Sequence, residues 1–213
     1  MIKFENVTKV IQKNTVIRNV TLELHQGHIY GLCGYNGCGK TMLMRLMCGL
    51  ILPTEGKVLI DDKQLGNDID FPDRTGVLIE NPVFRGGYDG FHNLKFLADL
   101  NGYINDDDIR ETLDRVGLGD NQKKVKKYSL GMKQRLGIAA AIMEKPEIIL
   151  LDEPTNALDA AGVEMIEQIL LEEKKRGALI VLACHYDQFL RKVSDCIYHM
   201  DNGQIIEKEL LHE

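Results

Sequence analysis

Residues 34–41 read GYNGCGKT and match the spacing G-x-x-x-x-G-K-[ST] of a phosphate-binding loop. A predicted strand over 28–33 precedes the loop and a run of helix formers over 40–48 follows it, which is the setting that the motif requires. Glycines let the backbone turn its N–H groups inward around phosphate oxygens, and the N-terminus of the following helix favours an anion. We expect Lys40 to act as a catalytic cation on the β- and γ-phosphates and Thr41 to offer its hydroxyl to Mg²⁺. The predicted nucleotide-binding residues here are Gly34, Tyr35, Asn36, Gly37, Cys38, Gly39, Lys40, Thr41 and Met42.

Two adjacent carboxylates follow the apolar run 148–151, which suits a buried central strand. We expect Asp152 to hold Mg²⁺, directly or through water. Glu153 should point to the other side of the strand, as neighbours on a strand do, and polarise the attacking water as a catalytic base. Each motif alone has a plainer interpretation, a glycine loop with a chance lysine or a solvated carboxylate pair. Their occurrence in one chain favours phosphate chemistry.

The rest of the chain shows three patterns. Short strands dominate the first third, helical apolar stripes follow over 90–118, and strands then alternate with helices, which is typical of a parallel α/β sheet. The second helix of the middle region is entered through Asn105 and three aspartates. The other predicted strands cover 3–7, 16–24, 57–60, 76–79, 178–184, 196–200 and 204–206, and the later helices cover 130–144 and 160–176. No repeat or long linker divides the chain, so we expect one domain.

Composition excludes several classes of protein. The chain has 213 residues, of which 44% are hydrophobic and 27% charged, so it is neither disordered nor fibrous. A formal net charge of −6 gives no overall electrostatic basis for direct nucleic-acid binding. The longest run without a charged or strongly polar residue, 136–143, is far too short to cross a bilayer, and the N-terminus lacks a secretory pattern. The five cysteines suggest neither a disulfide framework nor a zinc site, so we expect a cytoplasmic location.

Residues 128–135 read YSLGMKQR and supply a third motif. Ser129 is a good helix N-cap, and the N–H groups of Gly131 and Met132 open the first turn, which makes a second anion site. In isolation an ordinary serine-capped helix would look the same. Beside the other two motifs, this stretch resembles the signature of the ATP-binding cassette (ABC) family, commonly LSGGQ. The resemblance covers nearly the whole chain.

The resemblance implies a fold and an activity. The fold is α/β, a P-loop NTPase with a parallel core sheet, an antiparallel β subdomain and a helical subdomain inserted over about 84–145 of the single domain 1–213. The activity is Mg²⁺-dependent hydrolysis of ATP, which is sandwiched in a head-to-tail dimer. Ser129, Gly131 and Met132 would then close on the γ-phosphate that the other copy holds.

Three further positions carry implied roles. Asp159 ends a segment similar to the one that leads into the family's D-loop, where it would contact the nucleotide site of the opposite protomer. His185 follows an apolar strand, where the family has its catalytic switch histidine near the γ-phosphate, although a strand-end histidine is commonly just a surface group. Glu80 stands where the family usually has a glutamine that reaches Mg²⁺ and senses the membrane partner, so it joins Thr41 and Asp152 as a predicted metal contact.

The resemblance also implies partners. These are a separate transmembrane permease subunit and either a second copy of the chain or a homologous ATPase subunit, which would place the protein on the inner face of the cell membrane. Residues 79–82 and the short length resemble the ATPases of bacterial exporters for peptide antibiotics and other amphiphiles. The alternative is a soluble ATPase of the same family that acts in regulation, DNA repair or translation. A small-molecule phosphotransferase is disfavoured by the Ser129 and Asp159 segments.

One departure from the family concerns the nucleotide base. Many members stack an aromatic residue on adenine from the first strands, but Val10, Ile11 and Gln12 offer none. Loss of such a stack weakens binding by about 1–3 kcal/mol in other base-binding sites. The sequence therefore predicts loose base selectivity. Much tighter binding of ATP than of GTP would count against this prediction.

Overall fold

The computed structural model describes residues 1–119, 121–185 and 187–211. Its strands are β1 (Ile2–Ile11), β2 (Asn14–Leu24), β3 (Ile29–Cys33), β4 (Glu55–Ile60), β5 (Lys63–Gln64), β6 (Thr75–Leu78), β7 (Ile148–Asp152), β8 (Leu179–Cys184), β9 (Cys196–Asp201) and β10 (Gln204–Leu210). Its helices are α1 (Lys40–Met47), α2 (Gly90–Asn101), α3 (Asp106–Arg115), α4 (Leu130–Ile142), α5 (Ala160–Lys175) and α6 (Asp187–Val193), with a 3₁₀ turn at Val125–Lys127. The strands form one sheet of four and one of six.

The six-stranded sheet has the order β10-β9-β3-β8-β7-β6. All of its neighbours are parallel except β10, which pairs antiparallel with β9 at the edge. Every residue of β7 and β8 is buried, as continuous apolar runs predict for strands covered on both faces. Because β3 and β7 both run parallel to β8, the loops that follow them reach the same edge of the sheet. The predicted parallel core is confirmed.

The four-stranded sheet has the order β2-β1-β4-β5 and is antiparallel throughout, which confirms the second predicted sheet. β1 extends well beyond the predicted strand 3–7. Register shifts follow Phe4 and Val7, so the apolar alternation that reveals a strand in the sequence is interrupted there. The short strand β5 was not predicted, because its two residues carry no apolar alternation.

Helices α2, α3 and α4 follow one another between β6 and β7, and each begins at a capping side chain. Asp89 accepts a hydrogen bond from the backbone N–H of His92, and Ser129 accepts one from that of Met132. Asn105 forms the predicted entry to α3 as a capping box, since its side chain accepts from the Asp108 N–H while the Asp108 carboxylate accepts from the Asn105 N–H. These caps explain why the helix starts could be read from the sequence.

The later elements differ from prediction in their bounds and number, and β10 for example continues to Leu210, beyond the predicted 204–206. The helix predicted over 130–144 ends at Ile142, where the chain turns towards β7. Helix α6 was not predicted, and it packs its Phe189, Leu190 and Val193 into the core beside α5 and β8. With seven residues it is too short for its periodicity to stand out in the sequence.

The turn between β9 and β10 is locked against β2 and the phosphate-binding loop. The Gly203 N–H donates to the Cys38 carbonyl at 2.8 Å, and the Gly203 carbonyl accepts from the Arg18 N–H at 2.8 Å. Gly203 has φ 78°, and a Cβ built on it would lie 2.5 Å from the carbonyl oxygen of Val16. Only glycine therefore fits this close approach of three backbone segments.

We expect Gly203→Ala to lower the free energy of unfolding by about 2–4 kcal/mol, because left-handed strain adds to the steric overlap. Gly27→Ala is a matched control, since Gly27 has φ 73° and open space around its Cβ position. The control variant should lose only the free energy of unfolding that left-handed strain removes, about 1–2 kcal/mol. Urea unfolding of both variants measures the difference. Equal losses of unfolding free energy in the two variants would show that the three backbone segments do not meet as closely as described.

Candidate functional site

The phosphate-binding loop connects β3 to α1 at the edge where the parallel strands end. Gly34, the first residue of the loop, has φ 156°, and a Cβ there would lie 2.4 Å from the carbonyl oxygen of Met200 on β9. Gly39 is the N-cap residue of α1 and provides no capping side chain, and no acidic residue lies in the first turn. The first N–H groups of α1 therefore remain available to an anion from outside the helix.

Lys40 is buried, and its ammonium group lies inside the loop. Its Nζ donates to the Gly34 carbonyl at 2.6 Å and to the Tyr35 carbonyl at 3.3 Å. Neutral carbonyls compensate a buried positive charge only in part. A phosphate group would supply the missing negative charge, as the sequence predicts for this lysine.

Thr41 and Asp152 are brought together from α1 and β7. The Thr41 hydroxyl donates to Asp152 Oδ2 at 2.6 Å, and the carboxylate is buried. Burial raises the pKa of Asp152, the Thr41 hydrogen bond opposes this rise, and the neighbouring charge of Glu153 adds to it. A hydroxyl and a carboxylate are hard oxygen donors, which fits Mg²⁺ bound with substrate phosphates and waters. Among the described residues no group of three or more His, Cys, Asp or Glu side chains could hold a metal ion.

Glu153 leaves the strand in a left-handed conformation with φ 49°. Strand alternation ends at Asp152, so the expectation that Asp152 and Glu153 point to opposite sides of a strand does not apply to Glu153, and both residues line the same cavity. Hydrogen bonds fix this turn: the Glu153 N–H donates to the Ala183 carbonyl at 2.7 Å, and the Glu153 carbonyl accepts from Gln134 Nε2 at 3.0 Å. Its carboxylate Oε2 lies 2.8 Å from His185 Nδ1.

The cavity beside the phosphate-binding loop has a volume of about 390 Å³, within the usual range for small-molecule sites. Its floor combines the loop with the two carboxylates, and its second wall comes from β2 and the β9–β10 turn. The lining residues are Thr15, Val16, Arg18, Asn36, Gly37, Gly39, Lys40, Thr41, Met42, Asp152, Glu153, Asn202 and Gly203. The second wall was missed by sequence reasoning, because no motif marks residues that are distant in the chain.

The Ser129 segment lies in a different cavity. Ser129, Gly131, Met132 and Asp159 line a space of about 280 Å³ with Arg135, Ala157 and Leu158, and none of these seven residues lines the phosphate-loop cavity. Asp159 caps α5, since its Oδ1 accepts from the Gly162 N–H, and it pairs with Arg135 at 3.0 Å. Its predicted contact with an opposite protomer stays a prediction. The predicted second anion site therefore lies apart from the phosphate-loop cavity within one chain.

Glu80 has a partner that the sequence did not reveal. Its carboxylate forms an ion pair with the guanidinium of Arg45 on α1, and the side chain is largely exposed. The structure does not bring Glu80 into contact with Thr41 or Asp152, although its charge contributes slightly to the raised pKa of Asp152. Its role as a metal contact stays a prediction.

The buried charge of Asp152 gives a prediction in which stability and activity change in opposite directions. Because its folded pKa is raised, the native state binds a proton more tightly than the unfolded chain, so stability falls as pH rises above the unfolded pKa. We expect Asp152→Asn to raise the melting temperature of the nucleotide-free protein, more at pH 8 than at pH 5. The same change at the exposed Asp107 should have no such pH dependence.

The hydrolysis rate measures the second half of this prediction. Loss of a metal-holding carboxylate should lower Mg²⁺-dependent hydrolysis about 10²-fold or more. A stabilised variant with unchanged turnover would remove Asp152 from the metal site. A destabilised variant would contradict the assignment of its raised pKa to burial.

Comparison with known proteins agrees with this geometry. The model of a family described as ABC transporter matches residues 17–156. YybJ, an ABC transporter ATP-binding protein of Bacillus subtilis (strain 168), is 49% identical over 210 residues, which cover 98% of this chain and 96% of that protein. The bacitracin transport ATP-binding protein BcrA of Enterococcus faecalis is 38% identical over 216 residues, which cover 100% of this chain and 70% of that protein.

A solved structure is similar over its full length. It is a dimeric post-hydrolysis state of the cassette MJ0796 bound to ADP and Pi, with a TM-score of 0.89, 26% identity and 100% of both chains covered. The predicted resemblance, including its likeness to peptide-antibiotic transport ATPases, is confirmed by these relatives. The chain therefore belongs to the ABC transporter family, as one of its ATP-binding and ATP-hydrolysing subunits.

Proposed function

We propose that two copies of this chain, or one copy and a homologue, close head to tail on two MgATP molecules and drive a separate transmembrane permease. The observation that carries this proposal is the separation of the two anion-binding features. The phosphate-loop cavity has Lys40, Thr41 and both carboxylates, whereas the Ser129 helix start lies in another cavity. A facing copy in a twofold dimer would bring each feature to the other.

Each side chain of the cavity has a proposed task. Lys40 and the loop amides neutralise phosphate charge, and Thr41 and Asp152 would hold Mg²⁺, which supplies electrostatic stabilisation to the transferring phosphoryl group when bound. Glu153 accepts a proton from the attacking water. His185, at 2.8 Å from the Glu153 carboxylate, positions this base and steadies the γ-phosphate.

For Glu80 we propose that the carboxylate keeps the metal-sensing and coupling task of the family's glutamine, and that its ion pair with Arg45 holds it at the rim of the site. Glu80→Gln and Glu80→Ala should each change the Mg²⁺ concentration for half-maximal hydrolysis about tenfold, as for other groups that orient metal ligands. Glu147→Gln is the control, since it also removes an exposed carboxylate from an arginine pair. Unchanged hydrolysis and Mg²⁺ dependence in both Glu80 variants would remove this role.

The permease partner and the location follow from the same proposal. No helix in the described part of the chain is both long and apolar enough to cross a membrane. We propose that the permease docks against the helical lobe, about 84–145, and holds the ATPase at the inner face of the membrane. The bacitracin transport name of BcrA supports a peptide antibiotic or similar amphiphile as the cargo.

Co-purification from detergent-solubilised membranes tests this proposal. A tagged chain should bring down a membrane protein with several spans, and vesicles containing both should hydrolyse ATP faster than the chain alone. Recovery from the soluble fraction without any membrane subunit, with full ATPase activity, would instead support the soluble regulatory ATPase.

A further inference from the structure

The second wall of the phosphate-loop cavity has no aromatic side chain. It consists of Thr15, Val16 and Arg18 from β2 with Asn202 and Gly203 from the β9–β10 turn, and no residue that lines the cavity is Phe, Tyr or His. A nucleotide held by its phosphates at the loop must place its sugar and base against some part of this cavity. Because the loop and the carboxylates serve the phosphates and the metal, the wall formed by β2 and the β9–β10 turn is the surface left for the base.

The wall is built rigidly onto the phosphate-binding loop. The Arg18 N–H donates to the Gly203 carbonyl, and the Gly203 N–H donates to the Cys38 carbonyl, each at 2.8 Å. The Tyr35 hydroxyl donates to Asn202 Oδ1 at 2.9 Å, which ties the other end of the loop to the same turn. The backbone of Arg18 is thus held at a fixed place relative to the phosphate-binding loop.

The guanidinium of Arg18 is the feature of this wall that lacks an explanation. Its side chain is exposed and lines the cavity, yet within 1–119, 121–185 and 187–211 it makes no hydrogen bond, ion pair or ring contact. By contrast, Arg45, Arg115 and Arg135 each pair with a carboxylate. A planar cation with five donors is thus left without a described partner on a residue that lines the nucleotide cavity.

We propose that the Arg18 guanidinium is the surface on which the purine base stacks, in place of an aromatic ring; this rests on the proposed nucleotide function of the cavity. A guanidinium stacks on the face of any purine, so adenine and guanine are both accepted. A guanidinium on the face of the ring does not reach the edge at which guanine and adenine differ. The cavity therefore binds GTP about as well as ATP.

Titration with three ligands, ATP, GTP and inorganic triphosphate, tests the proposal. Arg18→Gln should weaken ATP and GTP binding about threefold to tenfold, the range expected for a cation–π contact, and leave triphosphate binding unchanged. Arg18→Lys keeps the positive charge but lacks a planar guanidinium, so it should lose most of the ATP and GTP affinity that Arg18→Gln loses. Lys13→Gln is the control, because it removes one positive charge from the same β1–β2 hairpin without touching the cavity.

Each outcome decides a different claim. Equal losses for triphosphate and ATP in Arg18→Gln would make Arg18 a phosphate contact and overturn the base stack. Full rescue by Arg18→Lys, unchanged ATP binding in Arg18→Gln, or ATP binding more than about tenfold tighter than GTP in the native chain would also overturn it. Failure of the native chain to bind any of the three ligands would contradict the proposed function itself.

Discussion

Replacing Glu153 by glutamine is expected to lower the rate of ATP hydrolysis about 10²- to 10⁴-fold, the usual cost of removing a positioned general base. Glutamine has nearly the same shape, so the contact with His185 and the left-handed turn are preserved. Nucleotide binding should remain, since Lys40 and the loop are untouched. The variant should therefore accumulate as a dimer in the presence of ATP, because the step that reopens the dimer is blocked.

Single-turnover hydrolysis and light scattering measure these two effects on the same sample. Glu147→Gln is again the matched control, because Glu147 is exposed and lies before β7 rather than after it. If Glu153→Gln hydrolysed ATP at the native rate, the base would be elsewhere. If it lost hydrolysis but stayed monomeric with ATP, Glu153 would keep its catalytic task while the closing of two copies would be contradicted.

Replacing Ser129 by aspartate is expected to lower hydrolysis about 10²- to 10³-fold, which is the usual cost of losing a donor to a developing negative charge. Aspartate is itself a good N-cap, so the hydrogen bond now made with the Met132 N–H survives and α4 folds. The added carboxylate occupies the helix N-terminus and repels the γ-phosphate of the facing copy.

Ser129→Asn separates the two contributions, since asparagine caps equally well without a charge. It should retain most of the hydrolysis rate, and both variants should match the native melting temperature. ATP binding by the monomer should be unchanged in both, because Ser129 does not line the phosphate-loop cavity. Native turnover in Ser129→Asp would exclude this helix start from the reaction.

The sequence reveals those parts of the site whose residues are neighbours in the chain. The loop at 34–41, the carboxylates after the apolar run and the N-cap Ser129 are each short motifs whose chemistry depends on neighbours in the chain. Parallel pairing of β3, β8 and β7 then brings the first two together, as the α/β pattern predicts. In the structure the Thr41 hydroxyl donates to Asp152 Oδ2 at 2.6 Å.

The parts that the sequence does not reveal depend on contacts between distant segments. The turn at Glu153 is set by hydrogen bonds from Gln134 and to Ala183, which overrule strand alternation. Arg45 pairs with Glu80 across 35 positions of chain. Arg18 reaches the cavity only because the β9–β10 turn holds β2 against the loop, and no periodicity or motif encodes that contact.

Mixing two inactive variants tests the shared pocket most directly. Lys40→Met destroys the phosphate loop of one copy, and Ser129→Asp destroys the anion site of the other. A mixed dimer then has one pocket made of two damaged halves and one made of two intact halves. An equal mixture should therefore recover about a quarter of native turnover, since about half of randomly formed dimers are mixed. Turnover no higher than that of the separate variants would contradict a pocket built from both copies.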